Sequence, residues 1–253
     1  MPAMTEATPF PFWVVRKIGE PLLLEADWNY TFPNAKFALF ASSSGTLARE
    51  TSNLLVGGAG SVKMLTAATS NDATELKYSH HYIQPKGWFL ALEMKWTQQF
   101  ASGGTNMQIG IENRDASNIK HVRFRWTPTT SKWMYEDNAL VYQDFPASIG
   151  GPLVTEKPNV STTSGSKWGW ARCVIDPFNN RYVGFEASGL TGIETRDMRT
   201  MNLPCSVEGV ASAYELLFFT LVQAGAALAE PGYTTDWCIS VIPPTVDPFS
   251  PED

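Results

Sequence analysis

Trp168-Gly-Trp-Ala-Arg-Cys-Val-Ile-Asp176, then Pro177-Phe-Asn-Asn180, then Arg181-Tyr-Val-Gly-Phe-Glu-Ala-Ser-Gly189 reads as a strand, a tight polar turn and a second strand. Residues with β preference stand on either side of a Pro/Asn cluster that favours chain reversal. The segment predicts a hairpin of an all-β fold.

Strands are predicted over most of the remaining chain. Phe37-Ala-Leu-Phe40, Val62-Lys-Met-Leu-Thr-Ala67, Leu76 to Ile83, Trp88 to Trp96, Met107 to Glu112, Ile119 to Trp126, Lys132 to Gln143, Glu215 to Gln223 and Asp236 to Ile242 are rich in β-branched and aromatic residues. Gly, Ser, Asn and Asp turns separate them. About a dozen strands at this spacing suit a two-sheet antiparallel β-sandwich of jelly-roll type. Helix is scarce, and residues 146–167, with three Gly, three Pro and a Ser/Thr run, form the longest predicted loop.

The strand ending in Asp176 and the strand ending in Gly189 resemble the late hairpin of concanavalin A-like jelly rolls, including laminin G-like modules. The resemblance covers roughly residues 37–242 and implies a fold, because that superfamily holds lectins, glycosidases and structural proteins. The expected organisation is an N-terminal extended anchor over residues 1–36, a sandwich over 37–242 and a Pro-rich tail over 243–253. Trp13 and Trp28 lie in an N-terminal section too apolar for a free tail, which predicts that it covers the sandwich or a neighbour. Pro243-Pro-Thr-Val-Asp-Pro-Phe-Ser-Pro-Glu-Asp253 is expected to be extended.

Composition narrows the function classes. With 43% hydrophobic residues and nine Trp in 253, the chain has enough apolar surface to build a core without a disulfide framework. Charged residues make up only 17% and the net charge is -6, which argues against nucleic acid as a partner. Cys173, Cys205 and Cys238 are widely spaced, with no Cys/His cluster, and are expected to be buried small hydrophobes. The first ten residues lack a basic region followed by an apolar run, so synthesis in the cytoplasm without a signal peptide is expected. Asn29 and Asn159 open sequons that matter little in that setting. The apolar stretch from Leu216 to Ala229 is too short to span a bilayer.

Catalytic patterns are weak. The resemblance implies that a glycosidase of this fold would carry Glu-x-Asp-x-x-Glu along one strand, and no such pattern is present. Glu136 and Asp137 are expected at a turn. His80, His81 and His121 are the only histidines, and no Gly-x-Ser-x-Gly elbow accompanies them. Asn71-Asp72 with Glu75, and Asn113 and Asp115 with Asn118, offer oxygen ligands for calcium, but in a generic spacing that first reads as turns. No cofactor is expected.

The alternation of polar residues points further. His121, Arg123 and Arg125 fall on one face of their strand, opposite Val122, Phe124 and Trp126. Gln108 and Glu112, and Glu93 and Lys95, project from single faces of candidate neighbouring strands. Together these seven residues would line a groove for a glycan, with Trp133 and Tyr135 as stacking platforms. The competing reading is an outer sheet face laced with ion pairs. The leading expectation is a non-catalytic structural or adhesive protein of a larger assembly of the phage-particle type, with other subunits as partners and carbohydrate binding as an accompaniment. The alternatives are a free carbohydrate-binding module and a divergent glycoside hydrolase or polysaccharide lyase.

Overall fold

A computed structural model describes residues 22–26, 37–41, 45–50, 61–80, 86–98, 105–115, 117–158, 167–209, 215–225 and 231–250. Trp13, Trp28, His81, both sequon asparagines and residues 159–166 of the long loop lie outside these, as does the His80 side chain.

Seventeen strands among the described residues form two antiparallel sheets. The first contains β1 (Leu22–Ala26), β3 (Thr46–Glu50), β4 (Ser61–Leu65), β6 (Phe89–Gln98), β12 (Gly169–Asp176), β13 (Arg181–Ser188), β14 (Ile193–Asp197) and β17 (Pro231–Ile242). Its order is β14-β13-β12-β6-β17-β4-β3, and β1 pairs with β17. The second contains β2 (Phe37–Ala41), β5 (Ala73–His80), β7 (Asn106–Arg114), β8 (Ile119–Thr127), β9 (Lys132–Glu136), β10 (Tyr142–Gln143), β11 (Leu153–Val154), β15 (Ser206–Glu208) and β16 (Glu215–Gln223). Its order is β10-β9-β8-β7-β16-β5-β2, with β11 on β9 and β15 on β8. The strands beyond the expected dozen include short ones such as β10, β11 and β15.

The predicted hairpin is β12–β13, with Asp176 opposite Arg181 across the turn. The Asp176 carboxylate accepts the backbone N–H groups of Phe178 at 3.1 Å and Asn179 at 2.9 Å. Asn180 takes the left-handed conformation (φ 51°), which Asn tolerates better than most residues. The turn chemistry visible in the sequence therefore closes the hairpin.

Alternation builds the core between the sheets. Leu90, Leu92, Met94 and Trp96 of β6 face Met107, Ile109 and Ile111 of β7 and Val122, Phe124 and Trp126 of β8. Trp96 lies 4.9 Å from Trp126 and edge-on to Trp133 at 5.5 Å, while Phe124 stacks on Phe185 at 4.3 Å. Each ring so buried contributes roughly 1.5–3 kcal/mol.

The outer face of the first sheet is covered as well. Residues 243–250 turn back over it, where Val246 and Phe249 pack on Ala91, Val174, Val183 and Ile242. Arg172, fully buried there, donates to Glu186 at 3.1 Å and to the Pro248 carbonyl at 2.9 Å, and pairs with Glu93 at 3.2 Å. This explains why β6 and β12 are buried on both faces. Cys173, Cys205 and Cys238 are free and buried, and burial pushes the Cys205 thiol up to about 12.

Candidate functional site

The outer face of the nine-stranded sheet brings five of the predicted residues together. Register places Gln108 opposite Arg125, Gly110 opposite Arg123 and Glu112 opposite His121. Residues directly opposite in an antiparallel pair project from the same face. The face is polar as read from the sequence, yet it is not a solvated one: Gln108, Glu112 and His121 are all buried.

Two pairs of predicted residues lie elsewhere. Glu93 and Lys95 belong to β6, in the other sheet, where Glu93 meets Arg172 beneath the C-terminal segment. They are not neighbours of Gln108 and Glu112, because the chain crosses from one sheet to the other between β6 and β7. Trp133 and Tyr135 point into the core, 0% and 8% exposed, and pack on Phe185 and Phe145. They are not platforms for a ligand on this face. The same alternation sends Met134 and Glu136 outward, so Glu136 ends a strand rather than sitting in a turn.

Glu136 is a residue that sequence reasoning missed, and it organises the face. It pairs with the imidazole Nε2 of His121, and Arg123 lies 3.6 Å away. Burial would raise its carboxyl, but the His121 hydrogen bond and the charge of Arg123 outweigh burial and hold it below the ordinary glutamate range. Arg123 also reaches Glu112 at 3.8 Å and Glu208 at 3.7 Å. Glu112 itself binds Arg114 at 2.7 Å, and Glu215 accepts a hydrogen bond from Ser79. Burial pushes the Glu75 carboxyl up against the pull of Lys77, 2.8 Å away.

The second missed residue is Tyr142. It sits opposite Glu136 in register, donates its hydroxyl to Gln108 at 2.8 Å and carries the Arg125 guanidinium on its ring at 3.7 Å from the centroid. Burial pushes that hydroxyl well above the ordinary tyrosine range and holds the Arg125 guanidinium below its own. Arg123 lies over the buried Phe219 ring at 5.5 Å, and Phe219 in turn covers Gly110, where a Cβ would stand 2.4 Å from the ring. The Nε groups of Arg123 and Arg125 have no acceptor among the described residues. The two guanidinium groups are adjacent and partly exposed, and their terminal N–H groups can donate to oxygen atoms of a ligand.

Tyr182 fixes this arrangement from the other sheet. Its hydroxyl crosses the core to donate to the Glu136 carbonyl at 2.7 Å and accepts the Arg123 backbone N–H at 3.1 Å. The loop acids serve turns. Asp115 accepts the N–H groups of Ser117 and Asn118 and pairs with Lys120, which brings its carboxyl down to about 2. Asp72 accepts the Ala67 N–H at 2.7 Å.

Among the described residues no helix is long and apolar enough to cross a membrane. No protein-family model matches the chain, and no curated protein matches its sequence. Solved structures do resemble it. Lectin II from Ulex europaeus superposes with a TM-score of 0.51 at 8% identity, covering 88% of this chain and 100% of that one. The lectin UEA-II complexed with galactose gives 0.50, also at 8% identity, with coverage of 88% and 100%. The cellulose-induced protein Cip1 gives 0.46 at 14% identity, covering 86% of this chain and 96% of that one. The chain thus has the concanavalin A-like jelly-roll fold expected from its hairpin, and at these identities the likeness is one of fold.

Proposed function

We propose that this chain is a lectin-like, non-catalytic carbohydrate-binding β-sandwich whose ligand contacts the Arg123, Arg125 and Tyr142 end of the nine-stranded sheet. The observation that carries this reading is the Arg125 guanidinium lying on the Tyr142 ring, 3.7 Å from its centroid, on a side chain that is partly exposed. Such a fork is oriented before a ligand arrives, so little side-chain entropy is lost on binding. Gln108, held by Tyr142 and Gln223, adds an amide beside it. The fold likeness to a lectin complexed with galactose supports the ligand class and makes galactose a sensible first probe.

The non-catalytic part of the proposal rests on the acids. Glu75 faces Lys77, Glu112 faces Arg114, Glu136 faces Arg123, and Glu215 faces Arg114 at 3.8 Å. A pair of carboxyls working as acid and nucleophile needs one group free to hold a proton and one free to attack.

A glycan array probed with the purified chain and with Arg125→Ala tests the reading. At least one glycan is expected to be retained by the parent and lost by the variant, with unchanged far-ultraviolet circular dichroism. An array without a signal above background overturns it, and so does release of reducing ends from a polysaccharide panel for the non-catalytic part.

A further inference from the structure

The strands of the nine-stranded sheet balance their cations by pairing. Lys77 meets Glu75 at 2.8 Å, Arg114 meets Glu112 at 2.7 Å, Lys120 meets Asp115 at 2.8 Å and Lys132 meets Asp144 at 2.9 Å. Arg123 has Glu112 at 3.8 Å, Glu136 at 3.6 Å and Glu208 at 3.7 Å. Arg125 departs from this pattern: among the described residues its guanidinium meets no carboxylate, and what it touches is the Tyr142 ring.

Register explains the exception. Arg125 stands opposite Gln108 on one side and Met134 on the other, and Leu221 follows Gln108 in the same row. All three neighbours are neutral, and Glu136 is committed to His121 and Arg123. The electrostatics agree. Burial works against the charge of Arg123, but Tyr142, Glu136, Glu112 and Glu208 outweigh it and lift that guanidinium above its ordinary range. At Arg125 burial prevails over Tyr142 and Glu136. The face is therefore short of negative charge at this one position.

The unmet charge can be reached. Arg125 is partly exposed; its Nε is enclosed, whereas its terminal amino groups are not, and they donate to no described residue. Two parallel N–H groups in one plane match the two oxygens of a carboxylate, and such a charge-assisted pair is stronger than hydrogen bonds to a neutral hydroxyl. The contact with Tyr142 orients that plane before a ligand arrives. Met134 and Leu221, both partly exposed, place apolar surface beside the fork. That surface suits the C–H face of a sugar ring and offers nothing to a bare inorganic anion.

We infer that the sugar bound at this site is acidic, a uronic acid whose carboxylate accepts from the terminal N–H groups of Arg125. The inference rests on the carbohydrate reading above and narrows it to a charged ligand class.

Galacturonate and galactose make the smallest test pair, because they differ only in carrying a carboxylate or a hydroxymethyl group at C6. Each is titrated into the ¹⁵N-labelled full chain, with the methyl ester of galacturonate as a neutral isostere and with glucuronate and glucose as a second pair. In at least one pair the acid should bind about tenfold more tightly than its neutral partner at low salt. The ester should bind like galactose, and raising the salt to about 0.5 M should reduce the preference. Arg125→Lys keeps the charge but loses the fork and should remove most of the preference; Arg125→Gln should remove all of it. Both changes fall on a partly exposed side chain, so far-ultraviolet circular dichroism should be unchanged. The ester and the salt series test the charge in the parent protein, without any substitution. Equal affinities within both pairs, or a preference that survives Arg125→Gln, overturn the inference. A stronger response to galactose 6-sulfate than to galacturonate overturns the carboxylate assignment. A glycan array that retains only neutral glycans, with retention lost in Arg125→Ala, leaves the carbohydrate reading standing and removes this inference. An array without signal removes both.

Discussion

Tyr182 is the side chain that joins the core to the candidate site. It leaves the eight-stranded sheet, crosses the sandwich and bonds to the backbones of Arg123 and Glu136 on the other side. Tyr182→Phe keeps the ring but leaves an N–H and a carbonyl without their partner, which should cost about 1–3 kcal/mol in chemical denaturation. It should also weaken any ligand held by Arg123, and an unchanged affinity would separate the two roles. Glu136 controls a different observable. Its carboxyl is held below the ordinary glutamate range, so its contribution is fully present above the unfolded pKa and is lost as pH falls through the folded one. The parent protein should therefore lose stability in acid. Glu136→Gln, which breaks a buried pair, should start lower by about 3 kcal/mol at neutral pH and fall less on acidification. Unfolding free energies measured from neutral pH downward check this, and parallel curves for the two proteins would assign the acid sensitivity to another group.

At the level of strands, alternation was legible and adjacency was not. Ile119 to Trp126 showed which residues face the core because period 2 is a local property of an extended chain. The same rule, applied to Lys132–Glu136, places Trp133 and Tyr135 inside once Phe124 and Trp126 are known to face inward opposite them. Their size and polar tips had suggested platforms instead. Glu93 and Lys95 show the other limit: β6 pairs with β12 and β17, far along the chain, and nothing local marks that choice. Tyr142 came with no signal, since a two-residue strand after a turn carries no period. One close approach was hidden as well. A Cβ on Gly184 of β13 would stand 2.4 Å from the Phe249 ring and 2.6 Å from the Arg196 carbonyl, so only glycine lets the C-terminal segment seat there. Gly184→Ala should cost about 1–3 kcal/mol. Adding Phe249→Ala to Gly184→Ala should cost less than the sum of the two single changes, because the ring that collides is gone. Strict additivity in thermal denaturation would place the strain at the Arg196 carbonyl alone.

For the whole molecule, the C-terminal segment decides how the assembly expectation is to be tested. Proline-rich tails hold their shape only when docked, either on their own domain or on a neighbouring subunit. Residues 243–250 dock in cis: Val246 and Phe249 extend an apolar cluster of the same chain, Asp247 meets Arg199 at 3.2 Å, and the Pro248 carbonyl receives the buried Arg172. Arg172 makes the docking consequential, because its guanidinium is 0% exposed and serves Glu93, Glu186 and that carbonyl together. Removing residues 244–253 should uncover Ala91, Val174, Val183 and Ile242 and open a buried ion cluster to water. The expected result is a fall in thermal midpoint of several degrees, since a change of about 1 kcal/mol moves a domain of 150–250 residues by about 2–4 °C. Native mass by light scattering should stay as it was, because the segment covers its own sheet. A drop in mass on trimming, with the midpoint unmoved, would show instead that the segment acts between subunits and would restore the tail as the basis for assembly.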